Sequence, residues 1–424
     1  MGSLCIGMRQ QKIRVRATIV VGLVVCLALA GLWQFKPAER SGRAADSTSA
    51  ELRGVWLTNV ASGVFFAPWG LARALDQLAD LHFNTIYPVV WNRGQTFYPS
   101  SRLEQLTGEA VEPLLNFAHL GQDVLAELTR RGHRRQLRVI PWFEYGFMVP
   151  IHAAIAQQHP DWLTTRQNGS YRLQESVFEP QALSGRQRLI DRLFHNPLAG
   201  QLAWLNPLHP AVQSLLLDLV MEVVEGYPVD GIQFDDHFSL PVEFGYDPYT
   251  IDLYRAEHGG QAPPSNPTDG DWMRWRASKL SGFVSRLHEA ITAARPGCTL
   301  SLSPHPAGYA YHYYLQDWQR WVDNGWIDEL VLQVYRNDLA SFETELSQPG
   351  VQSARQRIPV SVGILTGTWE RPIGFEQIAE QVAASRDRNF HGVSFFYWQT
   401  LWSYFTPESP QTRRQKFRDL LRSP

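Results

Sequence analysis

Three observations predict an α/β fold, a (β/α)8 TIM barrel. From residue 52 onward short β-rich runs alternate with helical patterns, eight such units can be counted, and the longest loops follow strands two, three and four. A doubly wound open sheet is the next-best architecture for the same alternation. The first unit is a strand over Leu52–Leu57 and a helix over Trp69–Leu81, and the second a strand over Phe83–Trp91 with a helix over Gln122–Arg131. Strand three covers Leu137–Glu144, and its helix, Pro210–Glu225, comes only after an excursion of about 65 residues. Strand four, Val229–Asp236, is followed by a helix over Pro248–Glu257, a Pro/Gly-rich piece over Gly259–Gly270, and the unit's own helix over Ser278–Ala294. The remaining units pair Thr299–Ser303 with Gln316–Asp323, Glu329–Tyr335 with Leu339–Leu346, Ile358–Ile364 with Phe375–Arg386, and Gly392–Tyr397 with Arg413–Leu421. Extra loop length at the carboxyl ends of the strands, where barrel enzymes build their sites, predicts a long cleft for an extended ligand.

Composition narrows the function classes. A chain of 424 residues with 44% apolar residues buries a large core, and a net charge of -2 gives no electrostatic case for nucleic acid or for an anionic membrane surface. Aromatics are abundant, with 15 Trp, 15 Tyr and 21 Phe, many beside polar residues at strand ends, where flat rings suit the faces of sugars. Residues 1–33 read as a signal peptide or N-terminal membrane anchor. Arg9, Lys12, Arg14 and Arg16 precede an apolar run from Ala17 to Trp33 that contains the small-residue site Ala28-Leu29-Ala30. Residues 34–50 read as a flexible tether, and 51–424 as the exported domain, periplasmic or extracellular and in contact with a membrane only through the N-terminal segment. Only Cys298 of the three cysteines lies in that domain, so neither a disulfide framework nor a cysteine metal site is available. Oligomeric state is not legible.

The chemistry concentrates where strand four ends, at Asp235-Asp236-His237. Alternation puts Gly231, Gln233, Asp235 and His237 on one face and Ile232, Phe234 and Asp236 on the other, so Asp235 points inward and Asp236 away unless a bulge turns it in. Either Asp alone is explained by a turn-capping role; two adjacent acids repel each other and are not. The other strand ends contribute Trp56 and Asn59; Trp91, Asn92 and Arg93; Trp142 and Glu144; His305; Gln333 and Tyr335; and Tyr397 and Trp398. Amides, acids and Arg satisfy sugar hydroxyls while rings stack on their C–H faces, so a polysaccharide is the expected partner and these residues the expected contacts, together with Gln233 and His237. Glycoside hydrolysis uses one neutral and one ionised carboxyl, for which Glu144 and Asp235, on neighbouring strands, are the candidates and Asp236 the reserve. A substrate-assisted route would use Asp235 and Asp236 together.

A metal-dependent deacetylase is the rival chemistry, since Asp235, Asp236 and His237 resemble a ligand cluster. The second half of such a site is missing, because His305 and His312 stand seven apart, and no metal or other cofactor is expected. There is no Gly-rich phosphate loop after the first strand and no Gly-x-Ser-x-Gly elbow. A catalytically silent glycan-binding barrel is the alternative from another class.

The blocks Arg53-Gly-Val-Trp-Leu-Thr58, Asn84-Thr-Ile-Tyr-Pro88 with Arg93-Gly94 and Tyr98-Pro-Ser100, Trp204-Leu-Asn-Pro207, Asp230-Gly-Ile-Gln-Phe-Asp-Asp236, and Gly325-Trp-Ile-Asp328 with Gln333-Val-Tyr335 resemble the glycosyl-hydrolase-like family ten of bacteria, over roughly residues 51–405. The resemblance implies a (β/α) barrel, export to the envelope, and cleavage of peptidoglycan glycan strands that have lost their stem peptides. It implies that the acid of the Asp-Gly-Ile-x-Phe-Asp-Asp block, Asp235 or Asp236, is catalytic. Similarity to the α-amylase-type pattern on strand four selects Gln233 and Asp235. Where many relatives carry Asn after Trp-Phe on strand three, this chain has Glu144, so its role as acid rests on chemistry alone.

Overall fold

The structure, a computed structural model, describes residues 51–60, 62–172, 202–368, 371–403 and 406–422. The leader and tether, and residues 173–201 of the loop after strand three, lie outside them. Among the described residues no helix is long and apolar enough to cross a membrane.

Eight parallel strands close into a barrel: β1 (Leu52–Leu57), β2 (Thr85–Pro88), β3 in two pieces (Arg138–Val139 and Trp142–Phe143), β4 (Gly231–Asp235), β5 (Thr299–Ser303), β6 (Glu329–Gln333), β7 (Val360–Leu365) and β8 (Gly392–Phe396). Each strand pairs with its neighbours in sequence, and β1 pairs with β8. Strand three, expected as one run, is broken because Pro141 has no N–H to give to a ladder. Its first piece pairs with β2 and its second with β4, so the break itself closes the ring. The Pro141 carbonyl still accepts from the Gln233 amide at 2.8 Å.

The helices that cover the barrel are α1 (Pro68–Asp80), α2 (Val124–His133), α3 (Pro210–Gly226), α4 (Gly270–Ala294), α5 (Trp318–Asp323), α6 (Leu339–Leu346), α7 (Phe375–Asp387) and α8 (Pro410–Arg422). Each turns an apolar stripe inward; in α3 it is Val212, Leu215, Leu216, Leu219, Val220 and Val223. Most boundaries shift by one to three residues, as for strand two, expected over Phe83–Trp91 and found over Thr85–Pro88, and one helix start shifts further. Helix α4 begins at Gly270, eight residues before Ser278, with the Asp269 side chain accepting from the amides of Asp271 and Trp272. The charged first turns look exposed in sequence, but Arg276 is fully buried and donates to the carbonyls of Val242, Phe244 and Pro267. It thereby ties the loop after β4 to the helix.

The barrel interior is filled by large rings set against small residues. Trp56 stacks on Tyr87 at 5.3 Å and meets Trp142 and Phe396 edge-on at 6.4 and 6.1 Å. A Cβ on Gly363 would lie 3.3 Å from the Trp56 ring and 3.2 Å from the Leu332 carbonyl, so a side chain there would press on the indole. The indole N–H donates to Gln233 Oε1 at 2.7 Å, and the Gln233 amide donates to Ser301 at 3.0 Å. Trp56 is 1% exposed and Gln233 is fully buried, so both, expected as sugar contacts, form the layer beneath the site. Trp91 is likewise buried, its N–H held by the Gly146 carbonyl at 2.9 Å.

Replacing Trp56 with Ala removes the central ring and orphans the Gln233 amide. We expect a loss of about 3–5 kcal/mol in denaturant unfolding, whereas Trp56→Phe, which keeps most of the volume, should lose clearly less.

Candidate active site

Four ionisable side chains meet at the carboxyl ends of β3 and β4. Glu144 follows the second piece of β3 and is 6% exposed; the Thr58 hydroxyl lies 3.0 and 2.8 Å from its two oxygens, and the Asn92 amide donates to Oε2. Asn92 is placed by a two-residue hairpin, Trp91–Asn92 against Gln95–Thr96, whose turn residues Arg93 and Gly94 both have positive φ, the geometry of a type I′ turn. Asp235, the last residue of β4, accepts from the Trp142 indole at 3.1 Å on one oxygen. Its other oxygen accepts from the His237 amide at 2.9 Å and faces His237 Nδ1 at 3.1 Å.

Asp236 was expected to point away from the barrel axis. It points in, because β4 ends at Asp235 and the chain turns before alternation can carry the side chain outward. Its Oδ1 accepts from Gln333 on β6 at 2.8 Å, and its Oδ2 lies 3.3 Å from His305 Nε2 and 3.8 Å from His237 Nε2. The Asp236 side chain is 18% exposed against 3% for Asp235, so of the two adjacent acids Asp236 is the one that solvent or a ligand can reach.

His237 binds this group together. Its Nδ1 lies 2.9 Å from the Glu144 carbonyl, which can only accept, so Nδ1 carries a hydrogen. The ring sits between Tyr145, stacked at 5.8 Å, and Trp204 at 6.1 Å. Gly146 makes this approach possible: its φ is +46° and a Cβ there would lie 2.6 Å from the His237 main chain.

Charge is distributed unequally across the four groups. Burial pushes Glu144 up to about 7, against the pull of Thr58 and with a push from Asp235. Burial also raises Asp235 to about 6, although His237 works the other way. Burial alone would raise Asp236 too, but His237 and His305 outweigh it and hold that carboxyl far below the usual carboxylate range. Burial would lower His237; the two Asp charges reverse that and raise it to about 10. At neutral pH the cluster therefore holds an ionised Asp236 against an imidazolium, with Glu144 able to keep or give up a proton.

The family model for glycosyl hydrolase-like 10 matches residues 51–384, which takes in every strand of the barrel except β8 and all four groups of the cluster. The chain belongs to this family. The glycosyl hydrolase DigH of Escherichia coli strain K12 is 26% identical over 340 residues, 68% of this chain and 66% of that relative's length. Among solved structures, the PgaB (BpsB) glycoside hydrolase domain from Bordetella bronchiseptica superposes with a TM-score of 0.58 at 13% identity over 88% of this chain and 98% of that one. The catalytic domain of β-amylase from Paenibacillus polymyxa gives 0.55 at 10% identity over 86% and 97%. At such identities these two speak for the barrel architecture alone.

In this glycosyl hydrolase-like 10 chain the other expected contacts are dispersed around the rim. His305, Gln333 and Tyr335 stand beside Asp236, and the Tyr335 phenol is pushed well up by burial and the two Asp charges. Trp142 lies beneath, holding Asp235. Asn59 follows Thr58, and its Oδ1, like that of Asn92, is buried without a partner. Arg93 reaches Tyr145. Tyr397 and Trp398 stand at the end of β8, the first buried against Phe396 and the second half-buried against Trp402. Thr58 was missed, although the alternation that turns Trp56 inward also turns Thr58 inward. Tyr145 and Trp204 flank His237 and were not among the expected contacts: Tyr145 lies in the turn after β3, and Trp204, although part of a block that carried the family resemblance, ends a short strand, Leu202–Trp204, that pairs with Met148–Pro150.

Asp235, Asp236 and His237 each bring a ligand-type atom within 4.8 Å of the others. The set fits a cation poorly. His237 Nδ1 carries a hydrogen bound to the Glu144 carbonyl, so only Nε2 could ligate, and both Asp235 oxygens already accept hydrogen bonds, which leaves Asp236 and one imidazole nitrogen as the open donors of the set.

A raised pKa in the folded state means the fold holds that proton more tightly than the unfolded chain does. The stability from Glu144 is thus full below its ordinary 4.5 and lost as pH rises through about 7. Glu144→Gln is neutral throughout. Relative to the parent it should gain on the order of 3 kcal/mol between pH 5 and pH 8, read by denaturant unfolding at the two values. Equal differences at both would show that Glu144 titrates normally.

Proposed function

We propose that this chain is an exported glycoside hydrolase of a bacterial envelope polysaccharide, acting on peptidoglycan glycan strands that have lost their stem peptides. The observation that carries this reading is that one site pushes the pKa values of two carboxyl groups apart, Asp236 down and Glu144 up to about 7. Membership of a glycosyl hydrolase-like family supports it, and so does the relative named glycosyl hydrolase DigH. The basic and apolar segment over residues 1–33 supports export.

In this mechanism Glu144 donates its proton to the departing glycosidic oxygen, while ionised Asp236 meets the positive charge that develops at the anomeric carbon. Asp236 takes the part expected for Asp235, because it is the more firmly ionised and the more reachable member of the pair. Asp235 acts through His237: it holds the imidazolium that keeps Asp236 charged, and Trp142 fixes Asp235 in turn. Gln333 and His305 orient the two oxygens of Asp236. No cofactor enters any step.

A second reading, a glycan-binding barrel without turnover, is favoured by one feature. Glu144 is nearly enclosed, and Thr58 and Asn92 already bond its oxygens. The two readings separate when the protein is incubated with peptide-free glycan strands and the products are weighed by mass spectrometry. New reducing ends with the mass of added water support hydrolysis; strands bound but unchanged support the silent barrel.

Within the hydrolase reading, Asp236→Asn should cut kcat at least about a thousandfold while glycan binding survives. Activity should fall as pH rises through about 7, where Glu144 loses the proton it must give. Glu144→Gln should abolish that alkaline limb and slow natural glycan far more than an aryl glycoside whose leaving group departs unaided. Equal slowing of both substrates would reassign the acid.

A further inference from the structure

Beside the acids, on the β5 side, stands a row of rings that no step of the proposed reaction uses. The helix Ala307–Tyr314 follows β5 and carries Tyr309, Tyr313 and Tyr314. His305, 3.3 Å from Asp236, meets the Tyr309 ring edge-on at 5.0 Å, and Tyr309 lies 4.7 Å from the Tyr313 ring at a tilt of 36°. Tyr313 is 57% exposed, and its contact with Tyr309 joins the two rings into one aromatic surface. The row is not loose. The amides of Leu240 and Val242, in the loop that leaves β4, donate to the carbonyls of Tyr314 and Tyr313 at 2.9 and 2.8 Å, which fixes the helix end against the same loop that carries Asp236 and His237.

We propose that Tyr309 and Tyr313 form a stacking platform for pyranose rings of the glycan, on the β5 side of the scissile bond, and so determine how much of the chain beyond the reacting sugar is recognised. Ring contacts from His305 to Tyr309 and from Tyr309 to Tyr313 lead from Asp236 to the exposed ring. Aromatic faces on one side match the C–H faces of sugar rings, while the phenol oxygens at their edges remain available to sugar hydroxyls. The platform rests on the reading of the barrel as a glycan-cleaving enzyme, but its test reads binding alone.

The test uses the full chain carrying Asp236→Asn, titrated by calorimetry with size-fractionated, peptide-free peptidoglycan oligosaccharides. Adding Tyr313→Ala should raise Kd for the longer oligosaccharides roughly tenfold, and Tyr313→Phe, which keeps the ring, should restore most of the affinity. Unchanged affinity in Tyr313→Ala, or equal loss in the Phe and Ala variants, overturns the platform, as does the absence of any binding by the Asp236→Asn chain. Failure of the parent chain to hydrolyse the same strands, with the affinity pattern intact, would instead overturn the hydrolase reading and leave a glycan-binding platform in place.

Discussion

The structure depends on gathering three carboxyl groups around one imidazole at the mouth of the barrel. Burying like charges together is unfavourable, and the protein meets the cost with a single imidazolium. His237 has Asp235 on its Nδ1 side and Asp236 on its Nε2 side, and its Nδ1 also reaches the main chain of Glu144. That positive charge, with help from His305 and Gln333, holds Asp236 ionised beside Asp235. The loop conformation at Gly146, the stacking of Tyr145 and the nearby Trp204 are best understood as what holds this one ring in place.

Beneath the charged layer lies a neutral polar one. Trp56, Gln233 and Ser301 form a hydrogen-bonded line across the interior, and below it Glu329 is paired with Arg138 at 3.0 Å and bonded by Ser301 at 3.0 Å. These groups are tolerated in so enclosed a space because each finds a partner, whereas the hydroxyls of Ser361 on β7 and Ser394 on β8 find none among the described residues. The floor is consequently rigid, and a rigid floor fixes where Asp235 and Trp142 present their side chains.

Much of this was legible in the sequence because it depends on local periodicity. The eight units, the strand at Leu52–Leu57 and the helices at Pro248–Glu257 and Leu339–Leu346 follow from alternation and capping residues. What was not legible depends on contacts distant in the chain. The start of α4 was hidden because Arg276 looks like a solvated residue until the carbonyls that bury it are known. The direction of Asp236 turned on where β4 stops, a matter of a single residue that no pattern specifies. Trp56 and Trp91 looked like sugar contacts because residue type reports affinity for a ring face but not depth in the barrel. Glu144, by contrast, was found from chemistry alone, since a carboxyl at the end of the strand beside Asp235 had to lie near it.

Two main-chain hydrogen bonds fasten the end of the helix Ala307–Tyr314 to the loop after β4, from the amides of Leu240 and Val242 to the carbonyls of Tyr314 and Tyr313. Bonds of that kind are indifferent to which side chains the helix carries. Mutational drift can therefore exchange the residues on its outward surface while the attachment, and with it the placement of Asp236 and His237, stays the same. The fold separates the geometry around Asp236 and His237 from an adaptable surface, so single substitutions on that surface can change what it contacts without unfolding the chain or moving the cluster.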